Sequence, residues 1–171
     1  CMRRPVFLLL LILLQITLPV KLSGQKPDYR LFDNISLGTE ASVINCFLQD
    51  TQGLIWIGSN KGLFSYDGYS TQPHFTFAKR NNTQIYCGTV VDSTYLYLGA
   101  DNGLLIYNYR TDTYEEPKTQ LPTDIRALLV HDGMLWLGTL NGLYTYSLND
   151  HQLSAVTEGI PHPTIYSLIC S

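Results

Sequence analysis

The apolar residues of this chain fall in short runs separated by turn residues, and the runs recur with a period near forty. In the first period they span roughly Ser42 to Gln49, Leu54 to Gly58, Leu63 to Tyr66 and Pro73 to Phe77. Each run is the length of a strand, and Gly, Asn, Asp or Pro bounds it. Ile44, Ile85, Ile125 and Ile165 head successive periods at separations of 41, 40 and 40. Trp56, Tyr97 and Trp136 are equivalent, followed by Gly58, Gly99 and Gly138. Then come Gly62, Gly103 and Gly142, and last Tyr66, Tyr107 and Tyr146. A fixed period of this size signals a repeat architecture. Copies span about residues 40–80, 81–121 and 122–160, and a fourth begins in 161–171.

Four strands in about forty residues make one blade of a β-propeller. The first run of each copy is apolar on both faces, with Ile44, Cys46 and Leu48 on one and Val43 and Phe47 on the other. A strand with one wet face would alternate, whereas a blade is covered by neighbours on both sides. Asp132-Gly133 between two apolar runs is a strong hairpin signal. Gly62, Gly103 and Gly142 stand where a hairpin needs positive φ. Gly58, Gly99 and Gly138 mark places where neighbouring backbone comes close. No stretch after residue 25 has helical periodicity, so the chain reads as all-β: three four-stranded antiparallel blades and the opening of a fourth. Trp56, Tyr97 and Trp136 are expected to be buried on the second strand of each blade. The dense leucine ladder of a leucine-rich solenoid and the Gly-His and Trp-Asp pairs of WD repeats are absent.

The N-terminus changes the picture of where this propeller works. Met2-Arg-Arg-Pro, an apolar run from Val6 to Val20 and the exit Lys21-Leu-Ser-Gly-Gln25 describe a secretory signal peptide over 1–24. Cleavage after Gly24 is expected, and the run is marginal as a permanent anchor. Residues 25–171 then form the exported domain, with eight basic and fourteen acidic side chains, a formal charge of −6. That balance argues against nucleic acid or anionic membrane as partners.

Export permits disulfides, but Cys46, Cys87 and Cys170 are odd in number. Cys46 and Cys87 share a repeat position with Ala127 and Ser167, a place that wants a small residue, so free buried thiols are expected. His74, His131, His151 and His162 have no ligand spacing and read as loop residues, and no metal or other cofactor is expected. Asp50, Asp92 and Asp132 sit at the first hairpin of each blade, where Asp bonds its own turn. They do not converge as an acid–base pair, and no catalytic residue is assigned. Specificity would reside in the loops between blades, Ala78 to Thr83 and Pro117 to Asp124, expected on one rim with 59–61, 100–102 and 139–141. Lys79, Arg80, Asn81 and Asn82 form the most ligand-like cluster.

The run Gln49-Asp-Thr-Gln-Gly-Leu-Ile-Trp-Ile-Gly-Ser-Asn-Lys-Gly-Leu-Phe-Ser-Tyr-Asp-Gly68 resembles the two-component regulator propeller repeat. Met134 to Tyr146 fits the same pattern, and Leu96 to Asn108 departs from it with Tyr97 for Trp and Ala100 for Thr. The resemblance implies the N-terminal periplasmic sensor of a hybrid two-component histidine kinase of Bacteroidetes type. It implies further blades, a membrane helix, a kinase, a homodimer at full length and an oligosaccharide input that controls polysaccharide utilisation. Tyr29 to Ile35 would be the strand that closes the first propeller. This piece itself would not be an enzyme. A secreted carbohydrate-binding or carbohydrate-active propeller, of lyase or dehydrogenase type and without a kinase, is the other reading left open.

Overall fold

A computed structural model describes Leu37, residues 43–74 and residues 83–170. The leader, the closing strand at 29–35 and the Lys79–Asn82 cluster lie outside these residues. The described residues contain twelve strands and no helix. They form three four-stranded antiparallel sheets, each in simple sequential order.

Blade 1 is β1 (Ile44–Gln49), β2 (Ile55–Ser59), β3 (Gly62–Tyr66) and β4 (Thr71–Pro73). Blade 2 is β5 (Ile85–Val90), β6 (Tyr95–Ala100), β7 (Gly103–Asn108) and β8 (Thr113–Glu115). Blade 3 is β9 (Ile125–His131), β10 (Met134–Thr139), β11 (Gly142–Ser147) and β12 (Leu153–Val156). The fourth strand of blade 1 starts earlier than the expected Pro73–Phe77, and residues 75–77 are not described. The β9–β10 loop is the two residues Asp132 and Gly133, with φ of 49° and 72°. Positive φ at both positions is the type I′ geometry that matches strand twist.

The first strands β1, β5 and β9 stand side by side. Asn45 Nδ2 donates to the Ile85 carbonyl at 2.7 Å, and Cys87 Sγ to the Ile125 carbonyl at 3.7 Å. Between the blades lie two apolar layers. Trp56, Leu63, Ile85, Leu96, Leu98 and Tyr107 fill the first, and Tyr97, Leu104, Ile106, Ile125, Leu135 and Tyr146 the second. Burying each large side chain contributes roughly 1.5–3 kcal/mol. Because the apolar layers lie between sheets, no blade has a core of its own.

The same logic explains a difference from expectation. Trp56 and Tyr97 are buried, but Trp136 is only half-buried. Its face looks toward the position of a fourth blade, where no described strand stands. Phe47, on the face of blade 1 that no described blade covers, is 64% exposed. The fourth copy has begun as a contact rather than as a strand. The Ile165 N–H donates to the Thr139 carbonyl at 2.8 Å, yet no strand forms over 157–170. A first strand is laddered by the second strand of its own blade, and no described residue supplies one.

Candidate functional site

The repeat signature builds the frame. A Cβ on Gly58 would lie 2.5 Å from Cys46 Sγ and 2.7 Å from Ile85 Cγ2 of the next blade. On Gly99 it would meet Cys87 Sγ and Ile125 at the same distances, and on Gly138 it would lie 2.7 Å from Ile165 Cγ2. The head isoleucine of each unit therefore docks on the glycine of the preceding one. Gly62, Gly103 and Gly142 all have positive φ in the second hairpins. Ser59 and Thr139 hydroxyls accept from the N–H of Lys61 and Asn141 and donate to the Gly62 and Gly142 carbonyls. Ala100 has no hydroxyl, and the Asp101 carboxylate takes the Asn102 N–H instead. Trp56 Nε1 donates to Asp50 Oδ2 at 3.0 Å, while Asp50 Oδ1 accepts from the N–H groups of Gln52 and Leu54. Asp92 ties its own turn in the same way.

The tyrosines hold the outer seams. The Tyr107 hydroxyl donates to Asp112 Oδ1 at 2.6 Å and lies 2.8 Å from His74 Nδ1. His74 Nε2 pairs with Ser65 Oγ, and the ring packs 4.9 Å from Trp56. The Tyr114 hydroxyl donates to the His74 carbonyl. His74 is therefore the rivet of blades 1 and 2, not a solvated loop residue as the sequence led us to expect. Burial pulls the Asp112 carboxyl up, but the bonds from Tyr107 and His74 outweigh it and hold the group below its usual range. Burial and the Asp112 carboxylate push the Tyr107 phenol far up. In blade 3, Tyr146 pairs with His151 at 3.0 Å, and Tyr66 of blade 1 donates to the Gly68 carbonyl.

Between blades 2 and 3 the corresponding seam is open. Tyr97 replaces the tryptophan, and the stretch after β8 reads Glu116-Pro117 where blade 1 has His74. A cleft of about 400 Å³ results, walled by Tyr95, Tyr97, Tyr146 and His151 with Asp92 and Glu115. Burial, with neighbouring tyrosines and carboxylates adding to it, pushes the Tyr97 phenol up to about 12.

The other rim gathers the second hairpins and the links between blades. The Asp124 N–H donates to the Asp101 carbonyl, Asn102 Nδ2 to Thr83 Oγ1, and Thr164 Oγ1 to the Leu140 carbonyl. A cleft of about 380 Å³ lies there, lined by Asn102, Glu116, Lys118, Gln120 and Thr123 among others. The expected meeting of 117–124 with the 100–102 hairpin is thus present. At the inner edge of this rim each first strand carries a β-bulge. Ile44 pairs with Ser59 and Cys46 with Gly58, so Asn45 has no opposite residue. Tyr86 and Arg126 occupy the same extra position in β5 and β9. Bulges redirect a side chain away from the ladder. The Arg126 guanidinium lies 3.5 Å over the Tyr86 ring. Its Nη2 reaches Asp124 Oδ1 at 3.4 Å, and its Nε is buried with no hydrogen-bond partner among the described residues.

Cys46 and Cys87 are free and half-buried, and Cys170 is exposed. Burial pushes the first two thiols up to about 11 and about 12. Among the described residues no group of His, Cys, Asp and Glu could hold a metal ion, and no helix is long and apolar enough to cross a membrane.

The two-component regulator propeller family matches residues 38–61. Two crystal structures of the extracellular domain of BT4673 from B. thetaiotaomicron are similar to this chain. One is described as that of a one-component system and the other as that of a hybrid two-component system. They share 60% and 62% identity with this chain, with TM-scores of 0.79 and 0.76 over 84% and 81% of it. The family's own repeat pattern is matched over residues 38–61 of this chain. The chain spans only 20% and 19% of those two domains. The extracellular domain of the hybrid two-component system BT3049 from the same organism is 16% identical, with a TM-score of 0.64 over 78% of this chain and 22% of its own, and shows the propeller fold alone. No curated protein matches the chain.

Proposed function

We propose that this chain is part of the extracytoplasmic sensor of a hybrid two-component regulator, that its ligand is an oligosaccharide, and that its output controls polysaccharide utilisation. The observation that carries the reading is the 60% identity to an extracellular domain over 84% of the chain. The fold supports it. Packed blades give a rigid frame, and the links on the rim are free to differ between copies, which suits recognition of a polar, extended ligand. In this reading the full-length protein sits in the inner membrane as a homodimer, with the propeller in the periplasm and a histidine kinase on the other side. The piece described here supplies frame and part of the rim, not the chemistry.

Calorimetry of the complete extracellular region against plant, host and microbial oligosaccharides tests the ligand class. Autophosphorylation of the full-length protein in membranes tests the output. One oligosaccharide should bind and change the phosphorylation level. Turnover of a glycan in place of stable binding would favour a secreted carbohydrate-active propeller. Silence across the panel in both assays would refute glycan sensing.

A further inference from the structure

The bulge position stands apart from the rest of the repeat. It is flanked on one side by the invariant isoleucine and on the other by a small residue, yet it reads Asn45, Tyr86, Arg126 and Tyr166. Every one of these carries a planar hydrogen-bonding group, and no two neighbouring blades carry the same one. Because the bulge frees this residue from the ladder, its identity is not needed for sheet pairing. Packing does not explain Arg126 either. Asn45 and Tyr86 fill the same place in blades 1 and 2 without burying a charge.

The surroundings of Arg126 hold its plane still and leave its outer edge open. Tyr86 lies under the guanidinium at 3.5 Å. A stacked arginine keeps its forked donors aligned for a planar anion. Of the donors, Nε is covered, and Nη2 has only a long contact of 3.4 Å to an Asp124 carboxylate that is itself partly exposed. Nη1 has no hydrogen-bond partner among the described residues. The arginine side chain is 25% exposed, so the fork is reachable. Next in line is Tyr166, 71% exposed, at the fourth bulge position by sequence. Thr123, the residue before Asp124, lines the polar cleft of the same rim.

We propose that Arg126, stacked on Tyr86 at the inner edge of this rim, is the anchor of a subsite for an acidic group on a saccharide. The group is a carboxylate, as in a uronic acid, or a sulfate ester. The fork binds either one in a two-pronged manner, and a neutral remainder extends toward Lys118, Gln120 and Thr123. This deepens the sensing reading and rests on it.

The test uses the complete extracellular region and three probe pairs in calorimetry. These are an oligogalacturonide with its carboxyl-reduced form, a sulfated galactobiose with its unsulfated form, and a neutral galactan fragment with a neutral xylan fragment. The wild type should bind one acidic probe at least tenfold more tightly than its uncharged counterpart. Arg126→Gln should abolish that preference while the melting temperature stays put. Asp124→Asn should tighten acidic probes several-fold, because it removes the competing carboxylate, and Asn accepts the φ of 54° found there. Should Arg126→Gln fold poorly, the Asp124→Asn arm decides by itself. An unchanged preference in Arg126→Gln, or no gain in Asp124→Asn, overturns the subsite. Tight binding of a neutral probe alone overturns the subsite and leaves glycan sensing standing, whereas silence for all six probes overturns both.

Discussion

Gly99→Ala should destabilise the propeller by more than any other substitution of its size in the repeat. The new Cβ would stand 2.5 Å from Cys87 Sγ, 2.7 Å from Ile125 Cγ2 and 2.9 Å from the Ile125 carbonyl oxygen. Two of these atoms are side chain, but the third is backbone of the next blade and cannot turn aside. Relief requires blade 3 to move off blade 2, which opens the second apolar layer. Overpacking of this kind typically costs 1–3 kcal/mol, and the backbone contact places Gly99→Ala at about 3 kcal/mol. Loss of glycine's unfolded-state freedom returns only about 0.5–1 kcal/mol. Gly58→Ala meets side chains alone, Cys46 Sγ and Ile85, so it should cost about 1–2 kcal/mol. Cys46→Ala should recover part of that loss, and Cys87→Ala should recover less of the loss at Gly99. Urea unfolding of the complete extracellular region, followed by tryptophan fluorescence, gives the four terms of each double-mutant cycle. Equal losses at the two glycines, or complete rescue of Gly99→Ala by Cys87→Ala, would refute the backbone docking of blade on blade.

Tyr107→Phe removes the hydroxyl that bonds Asp112 and His74 and should cost about 1–2 kcal/mol at neutral pH. Asp112 is held below the ordinary 3.8, so its contribution is complete above that value and fades as pH falls through the lower folded pKa; the Tyr107→Phe penalty should therefore shrink in acid below about pH 4, and a pH-independent penalty would exclude the carboxylate. Cys46 and Cys87, with thiols at about 11 and about 12, should resist iodoacetamide at pH 8 until the protein is unfolded, and rapid labelling of either would contradict their packing against the next blade.

The frame was legible from sequence because each blade solves the same packing problem. Gly58, Gly99 and Gly138 recur since the next unit's isoleucine occupies the room a Cβ would need. The type I′ loop at Asp132-Gly133 was readable because so few residues accept its φ values. Trp136 was placed on the right strand with the wrong exposure, because period predicts position whereas burial depends on which neighbour is there. His74 was misjudged for a different reason. It bonds residues of its own and the next blade, 9 to 40 positions away, and single-site spacing holds no trace of such a seam. The bulge residues left a signal that went unread: one variable letter between two constrained ones, four times in register.

That contrast between constant and variable positions separates what the fold requires from what it permits. A residue that recurs in every blade answers to a neighbour that also recurs, as Ile85 answers to Gly58. Arg126 has no such counterpart, since its equivalents are an amide and a phenol. The position is close to the ladder but outside it, so evolution can exchange its side chain without disturbing the register of any strand. It also stands where successive first strands touch, as the Asn45 bond to the Ile85 carbonyl shows, so side chains from several blades can act on one ligand group. A propeller that reads different molecules with the same blades needs a position with both properties. In this chain the bulge behind each head isoleucine has them.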